Sequence, residues 1–225
     1  MRSLAPRPVL LALTLLLIAG AIAFVELRFN TASPDNTQAA AEPSVDQASE
    51  SATEPSQIVE DQTAAERIAS KETEFPRAKE IANPTGFINT DGISIGESLG
   101  KKVILLDFWA YSCFNCKNTQ PYLNAWHEKY EDDGLVILGV HKPEFEFEKD
   151  PANVEKAVKT ANIRYPVVLD NNDATWNAYD QHYWPAWYLI DADGFIQYKH
   201  FGEGAYEETE EKIQELLSEK DRVLN

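Results

Sequence analysis

The sequence is poor in sulfur. It has two cysteines, Cys113 and Cys116, and one methionine, Met1, in 225 residues. Two cysteines three positions apart cannot make the long-range cross-links of a disulfide-stapled fold, and no further thiol is left to react with them. Positive charge is also scarce: 20 Lys and Arg against 37 Asp and Glu leave a formal net charge of −17. With no basic stripe to neutralise phosphates, nucleic acid is excluded as a partner. The same charge repels an anionic bilayer surface, so membrane contact has to come from apolar sequence. Aromatics are missing from Asn30 to Glu74, and Lys and Arg from Asn30 to Glu66. Such a stretch cannot bury enough apolar area to offset its ordering entropy. Residues 29–74 are therefore expected to form a disordered, acidic, Ala/Ser/Pro-rich linker, with a short helix allowed near Thr63–Glu74.

What is present begins with a targeting signal. Arg2 and Arg7 precede an uncharged run from Pro8 to Val25, between a signal-peptide core and a membrane span in length. Ala21-Ile22-Ala23 offers a small-residue cleavage site, but Phe24, Val25 and Leu27 prolong the apolar run beyond it. Residues 1–28 are expected to be an uncleaved signal anchor, a single-pass transmembrane helix, with a cleaved signal peptide as the alternative. Positive charge on its N-terminal side places the rest of the chain on the extracytoplasmic, periplasmic face of the cytoplasmic membrane. The linker then gives a tethered domain reach beside that membrane.

Residues 75–225 carry the composition of a folded domain. Val103–Trp109 is an apolar run with one acid and reads as a buried central strand. Cys113–Tyr130 reads as a helix with Leu123, Trp126 and Tyr130 on one face. Leu135–Val140 is a second buried strand, and Val154–Ala161 a helix after Pro151 with Ala157 and Val158 as its apolar side. Pro166–Leu169 is a short third strand, placed at a sheet edge because of its proline. Ala186–Ile190 and Phe195–Phe201 flank Asp191-Ala192-Asp193-Gly194, a hairpin signal. A closing acidic helix turns Ile213, Leu216 and Leu217 toward a core. The pattern predicts an α/β fold, a sheet with helices on both faces.

The chemistry concentrates where the first buried strand gives way to a helix. A helix start carries unpaired N–H groups and about half a positive charge, which favours a thiolate at Cys113. Cys116 lies one turn further in, on the same face and less exposed. Cys113 is then the attacking thiol, and Cys116 resolves the mixed disulfide. Pro121 interrupts the same helix, either as a simple bend or to orient the redox turn. Asp107, inside the buried strand, should have a raised pKa and could relay the proton of Cys116; the competing reading is an exposed strand-end aspartate. Glu144 and Glu146 are weaker acid–base candidates. Half of a zinc site is one competing reading of the cysteines, but His127, His141, His182 and His200 include no H-x-x-x-H pair. An inert local disulfide is another, and a copper-delivery protein using the two cysteines and His182 is the alternative function. A peroxidase would need a reactive cysteine in a Thr- and Pro-containing loop, which the sequence does not offer.

These residues resemble a family. Leu106-Asp107-Phe108-Trp109-Ala110, Cys113-x-x-Cys116-Lys117 and Pro121 resemble thioredoxin. Asn89-Thr90-Asp91-Gly92, Tyr111–Cys116, Gly139–Phe145, Asp170-Asn171-Asn172, Trp184-Pro185-Ala186 and Phe201–Gly204 resemble the extracytoplasmic thioredoxin-like domain of DipZ-type proteins, which belong with the TlpA/ResA-like thiol–disulfide oxidoreductases. The resemblance implies a thioredoxin-like fold, a central mixed β-sheet flanked by helices, with a cis-proline loop at Pro185 facing the cysteines. Trp184 would line the substrate groove, or else be a core aromatic, and Phe114 would meet substrate between the cysteines. The resemblance implies no cofactor beyond a redox-active Cys113–Cys116 disulfide. It implies exported disulfide-containing proteins as substrates, apocytochromes among them, and an electron donor of DsbD/CcdA type in the membrane. Two departures stand out. Phe114-Asn115 replaces the Gly-Pro of cytoplasmic thioredoxin, so the redox potential does not carry over. One span replaces the multi-span electron-transfer domain of DipZ-type proteins, so the donor is expected to be a separate protein.

Overall fold

The structure is a computed structural model that describes residues 63–224. The expected anchor over residues 1–28 and the linker up to residue 62 lie outside the described residues. Among the described residues, no helix is long and apolar enough to cross a membrane.

The chain runs α1 (Ala64–Glu74), β1 (Gly86–Ile88), α2 (Ile95–Ser98), β2 (Val103–Trp109), α3 (Phe114–Tyr130), β3 (Leu135–His141), a 3-10 turn (Glu146–Lys149), α4 (Pro151–Thr160), β4 (Val167–Leu169), α5 (Ala174–Ala178), β5 (Ala186–Ile190), β6 (Ile196–Phe201) and α6 (Tyr206–Leu224). The strands form one mixed sheet in the order β1-β4-β3-β2-β5-β6. β2 is parallel to β3 and antiparallel to β5, and every one of its residues is buried. Side chains alternate across a strand, so β2 feeds two cores. Val103, Leu105 and Trp109 pack with Leu123, Trp126 and Tyr130 of α3 and with Ile213, Leu216 and Leu217 of α6. Ile104, Leu106 and Phe108 pack on the opposite face with Ile95, Trp176 and Tyr179. The expected α/β sheet with helices on both faces is what the chain forms.

Three expectations need correction. β4 is not an edge strand: β1 pairs with it antiparallel on one side and β3 parallel on the other. Pro166 does not forbid this, because the strand starts after it and the proline contributes only its carbonyl, which accepts from Gly139 N at 3.0 Å. The edge on that side of the sheet, β1, is three half-buried residues and too short to show a period in sequence. In α4 the buried residues are Val154 and Val158, one turn apart, while Ala157 lies off that line. The hairpin between β5 and β6 does form, closed by Asp191 N to Phe195 O at 3.0 Å. Gly194 completes it at φ +90°, with Leu99 packed where a side chain would go.

The third correction concerns the linker. Its last residues, Ala64–Glu74, are helical, as the allowance near Thr63–Glu74 anticipated, and they join the domain. Thr63 and Glu66 form a reciprocal capping box. Lys71 Nζ then reaches Asp191, Asp193 and Glu219 at 2.7, 2.9 and 2.7 Å. Arg67 grips both oxygens of Asp193 at 2.8 and 2.9 Å. No residue of α1 is buried, so ion pairing rather than apolar packing holds it. The bond from Arg67 brings the Asp193 carboxyl down from 3.8 to about 2. A carboxyl depressed in the folded state adds stability that is complete above its unfolded pKa and lost as pH falls through the folded one. Amide protection of residues 64–74 should therefore decline between about pH 4 and pH 2. In Asp193→Asn this acid step should vanish from a hydrogen-exchange profile, leaving α1 weakly protected at every pH.

Candidate active site

The site is built by the end of β2. Strand hydrogen bonding stops at Trp109, whose carbonyl takes Lys142 N at 2.9 Å. Ala110–Ser112 form a short turn, and Cys113 is the N-cap of α3, its Sγ accepting from Cys116 N at 3.3 Å. Cys113 and Cys116 are joined in a disulfide. Cys113 is partly exposed, and Cys116 is fully buried in the core under α3. The thiol at the helix start is therefore the reachable one, as the sequence reading expected. α3 continues through Pro121, where the missing N–H leaves the Lys117 carbonyl without its helical donor.

Asp107 is fully buried, so the exposed strand-end reading is excluded. Its place between Leu105 and Trp109 in the alternation puts it on the face covered by α3, the face that holds Cys116. Oδ1 accepts from Trp187 Nε1 at 3.0 Å, while Oδ2 is buried without a partner. Burial pushes this carboxyl up to about 7, against the opposing bond from Trp187. Gly139 lies opposite Asp107 in register. A side chain there would come within 3.0 Å of Trp109 Nε1 and 3.3 Å of the Tyr165 ring, so glycine leaves the room those rings fill.

Pro185 follows a cis Trp184–Pro185 bond, as the resemblance implied. The pairing of Phe108 with Ala186 places this loop beside the end of β2, at the same end of the sheet as the redox turn. Trp184 sits as the core aromatic of its two readings. It is half-buried, stacks on Trp176 at 4.4 Å with Lys142 Nζ 5.0 Å above its ring, and packs against both cores. Phe114 is 74% exposed and free to meet another molecule.

Other candidates fall away from this centre. Glu144 and Glu146 are exposed on the loop after β3. His182 is exposed, 3.4 Å from Asp180. Among the described residues, the one group of three side chains spaced to hold a metal is Asp191, Asp193 and Glu219, which Lys71 occupies; the cysteines and His182 form no such group. Two buried polar residues do belong to the turn and were not assigned to it in sequence. His141 Nε2 accepts from Tyr111 N at 3.3 Å, and its ring stacks on Tyr111. Glu148 Oε1 accepts from Ser112 N at 3.0 Å. Glu148 stands among exposed acids in an acidic segment, and no local pattern separates it from Glu146.

A sequence model described as the AhpC/TSA family matches residues 77–199. The chain belongs to the AhpC/TSA family. It is 48% identical over 145 residues to protein DipZ of Mycobacterium bovis, covering 63% of this chain and 21% of DipZ. It thus spans about a fifth of that relative's length. It is 27% identical over 140 residues to thiol-disulfide oxidoreductase YkuV of Bacillus subtilis, covering 62% of this chain and 93% of YkuV. A thioredoxin-like protein solved in its oxidised form is 26% identical, with a TM-score of 0.59, covering 64% of this chain and 97% of that one. The described part of this AhpC/TSA chain is a thioredoxin-like thiol–disulfide oxidoreductase domain.

The Asp107 carboxyl predicts an unusual pH dependence. An acid whose folded pKa exceeds its unfolded value costs stability as pH rises between the two. Asp107→Asn should match the parent near pH 4 and exceed its stability by on the order of 4 kcal/mol near pH 8. Urea unfolding of the oxidised protein at the two pH values checks this; a difference that does not grow with pH would contradict it.

Proposed function

We propose that the chain is a membrane-tethered, extracytoplasmic thiol–disulfide oxidoreductase that reduces or isomerises disulfides of exported proteins. The observation that carries this reading is the asymmetry of the pair: a reachable cysteine at a helix N-cap, bonded to one sealed in the core above a buried acid. An inert staple would need neither the helix terminus nor the acid.

In the reducing direction the Cys113 thiolate attacks one sulfur of a substrate disulfide. A mixed disulfide forms, and the other substrate sulfur leaves as a thiolate. Cys116, deprotonated with Asp107 as acceptor, attacks Cys113 Sγ and expels the second substrate sulfur. Two electrons pass to the substrate, and the Cys113–Cys116 disulfide remains. Isomerisation is the same attack with the substrate's own thiol resolving the intermediate. A dithiol donor must restore the pair, and a DsbD/CcdA-type membrane protein is the donor we assign. Apocytochromes are one class of substrate the chemistry fits. The disulfide is the only redox group required. The apolar run in residues 1–28, with its flanking arginines, supports the tether and the outward orientation.

Cys116→Ser in the full chain should accumulate mixed disulfides through Cys113, visible as adducts on non-reducing gels and released by dithiothreitol. Cys113→Ser should accumulate none. Adducts confined to Cys113→Ser would reverse the roles, and none in either variant would remove the exchange function. Asp107→Asn should slow release at neutral pH by about tenfold or more while leaving the first attack nearly unchanged. In the host, the full chain should fractionate with membranes and be digested by protease added from outside; recovery in the cytosol would overturn the tether.

A further inference from the structure

The redox turn is held by side chains. The two amides before Cys113 have no strand to bond to, and each is taken by a buried side chain from the end of β3 or the loop after it. Tyr111 N donates to His141 Nε2, and Ser112 N to Glu148 Oε1. The other oxygen of Glu148, Oε2, accepts from Glu144 N at 2.7 Å and from Phe145 N at 3.1 Å. One carboxylate thus ties the turn carrying Cys113 to the loop after β3.

Glu148 is fully buried. Nearby lysines are engaged elsewhere: Lys149 with Glu146 at 2.8 Å, and Lys142 with Asp173 at 3.6 Å. No cation pairs with Glu148 among the described residues. The Ser112 side chain and three backbone N–H groups keep it ionised instead. Burial alone would raise its pKa, but the bonds from Ser112, Phe145 and Glu144 outweigh that and hold it below the ordinary range. A buried carboxylate with no cation paired to it therefore bonds the amide of Ser112, the residue next to Cys113. The other titratable groups around the turn are His141 from β3, the Tyr111 phenol, Asp150 at the start of α4, Asp107 beneath on β2 and Lys117 in the first turn of α3. Burial lowers His141 to about 4, so it is neutral at working pH and supplies no counter-charge.

We propose that Glu148 is the positioning residue that sets the redox poise of the Cys113/Cys116 pair, clamping the turn through Ser112 and opposing the Cys113 thiolate with its charge. The inference rests on the pair being an exchange centre. The helix terminus pulls toward thiolate, which stabilises the dithiol form and makes a stronger oxidant. A fixed anion bonded to the residue before Cys113 works against that pull. The thiol's pKa rises, the dithiol form loses its advantage, and the pair gives up electrons more readily. The direction left open by the C-x-x-C motif is thereby biased toward reduction.

The test uses the purified full chain. Glu148→Gln removes the charge and keeps one accepting oxygen; Glu148→Asp keeps the charge and shortens the reach. Two readouts follow: ultraviolet thiolate absorbance of the reduced protein against pH, and the equilibrium with dithiothreitol. In Glu148→Gln the thiolate fraction below the pKa should rise about tenfold, and the equilibrium should move about tenfold toward the dithiol form, ~30 mV less negative. Glu148→Asp should stay within about threefold of the parent on both. A Glu148→Gln protein within about twofold of the parent overturns the proposal. So does a Glu148→Asp protein shifted as far as Glu148→Gln, since the effect would then be structural. If Glu148→Gln does not fold, isotope-edited NMR of the Glu148 carboxyl in the reduced parent decides. Its signal should titrate with Cys113, and a signal that ignores Cys113 overturns the coupling. Failure of the parent to exchange with any disulfide strikes the functional reading; normal exchange with an unmoved equilibrium strikes only Glu148.

Discussion

Everything at the site depends on β2 being buried along its whole length and ending abruptly. A strand covered on both faces must pack two cores, and its alternating side chains do so. Where it ends, the chain turns through three residues into α3, whose first turn is presented at the sheet's end while its Leu123, Trp126 and Tyr130 are locked into the core. Two cysteines three apart across that junction are forced into unlike surroundings. One caps the helix within reach of solvent, and the other faces the interior. The reactive asymmetry of the pair is a product of packing rather than of the four residues themselves.

The electrostatics of the junction are a balance of unlike groups. The helix terminus supplies partial positive charge. Asp107 answers desolvation by holding its proton near neutrality. Glu148, equally buried, answers by collecting three amide donors and staying ionised. The difference lies in the donors each can reach. Asp107 meets one indole N–H, because the strand amides around it are spent on the sheet. Glu148 meets amides that have left the sheet and lack other partners. A carboxyl held near neutrality and a fixed charge thus arise from the same chemical group. At the far end of the domain, Lys71 and Arg67 bind α1 through carboxylates, so charge also holds the first described helix against the domain.

Much of this was legible in the sequence. The continuous apolar run of β2, the C-x-x-C at a helix start, the hairpin around Gly194 and the apolar spacing of α6 each carry a local signal with one structural solution. Pro185 was legible only through family resemblance, since nothing in its neighbours dictates a cis bond. The neighbours of β4 were misread because a proline beside a strand says nothing about who pairs with the residues after it. Glu148 was passed over because burial is not a local property: Glu146 and Glu148 differ only in which way the 3-10 turn points them.

The sequence by itself determined the candidate cysteine pair, which of the two caps the helix, and the α/β framework, because these follow from spacing, periodicity and the geometry of a helix start. The tertiary structure decided which acid is neutral and which is charged. It also decided which strands are neighbours and that α1 belongs to the domain. Those depend on desolvation, on hydrogen-bond partners and on ion pairs between residues as much as 148 positions apart, as Lys71 and Glu219 are.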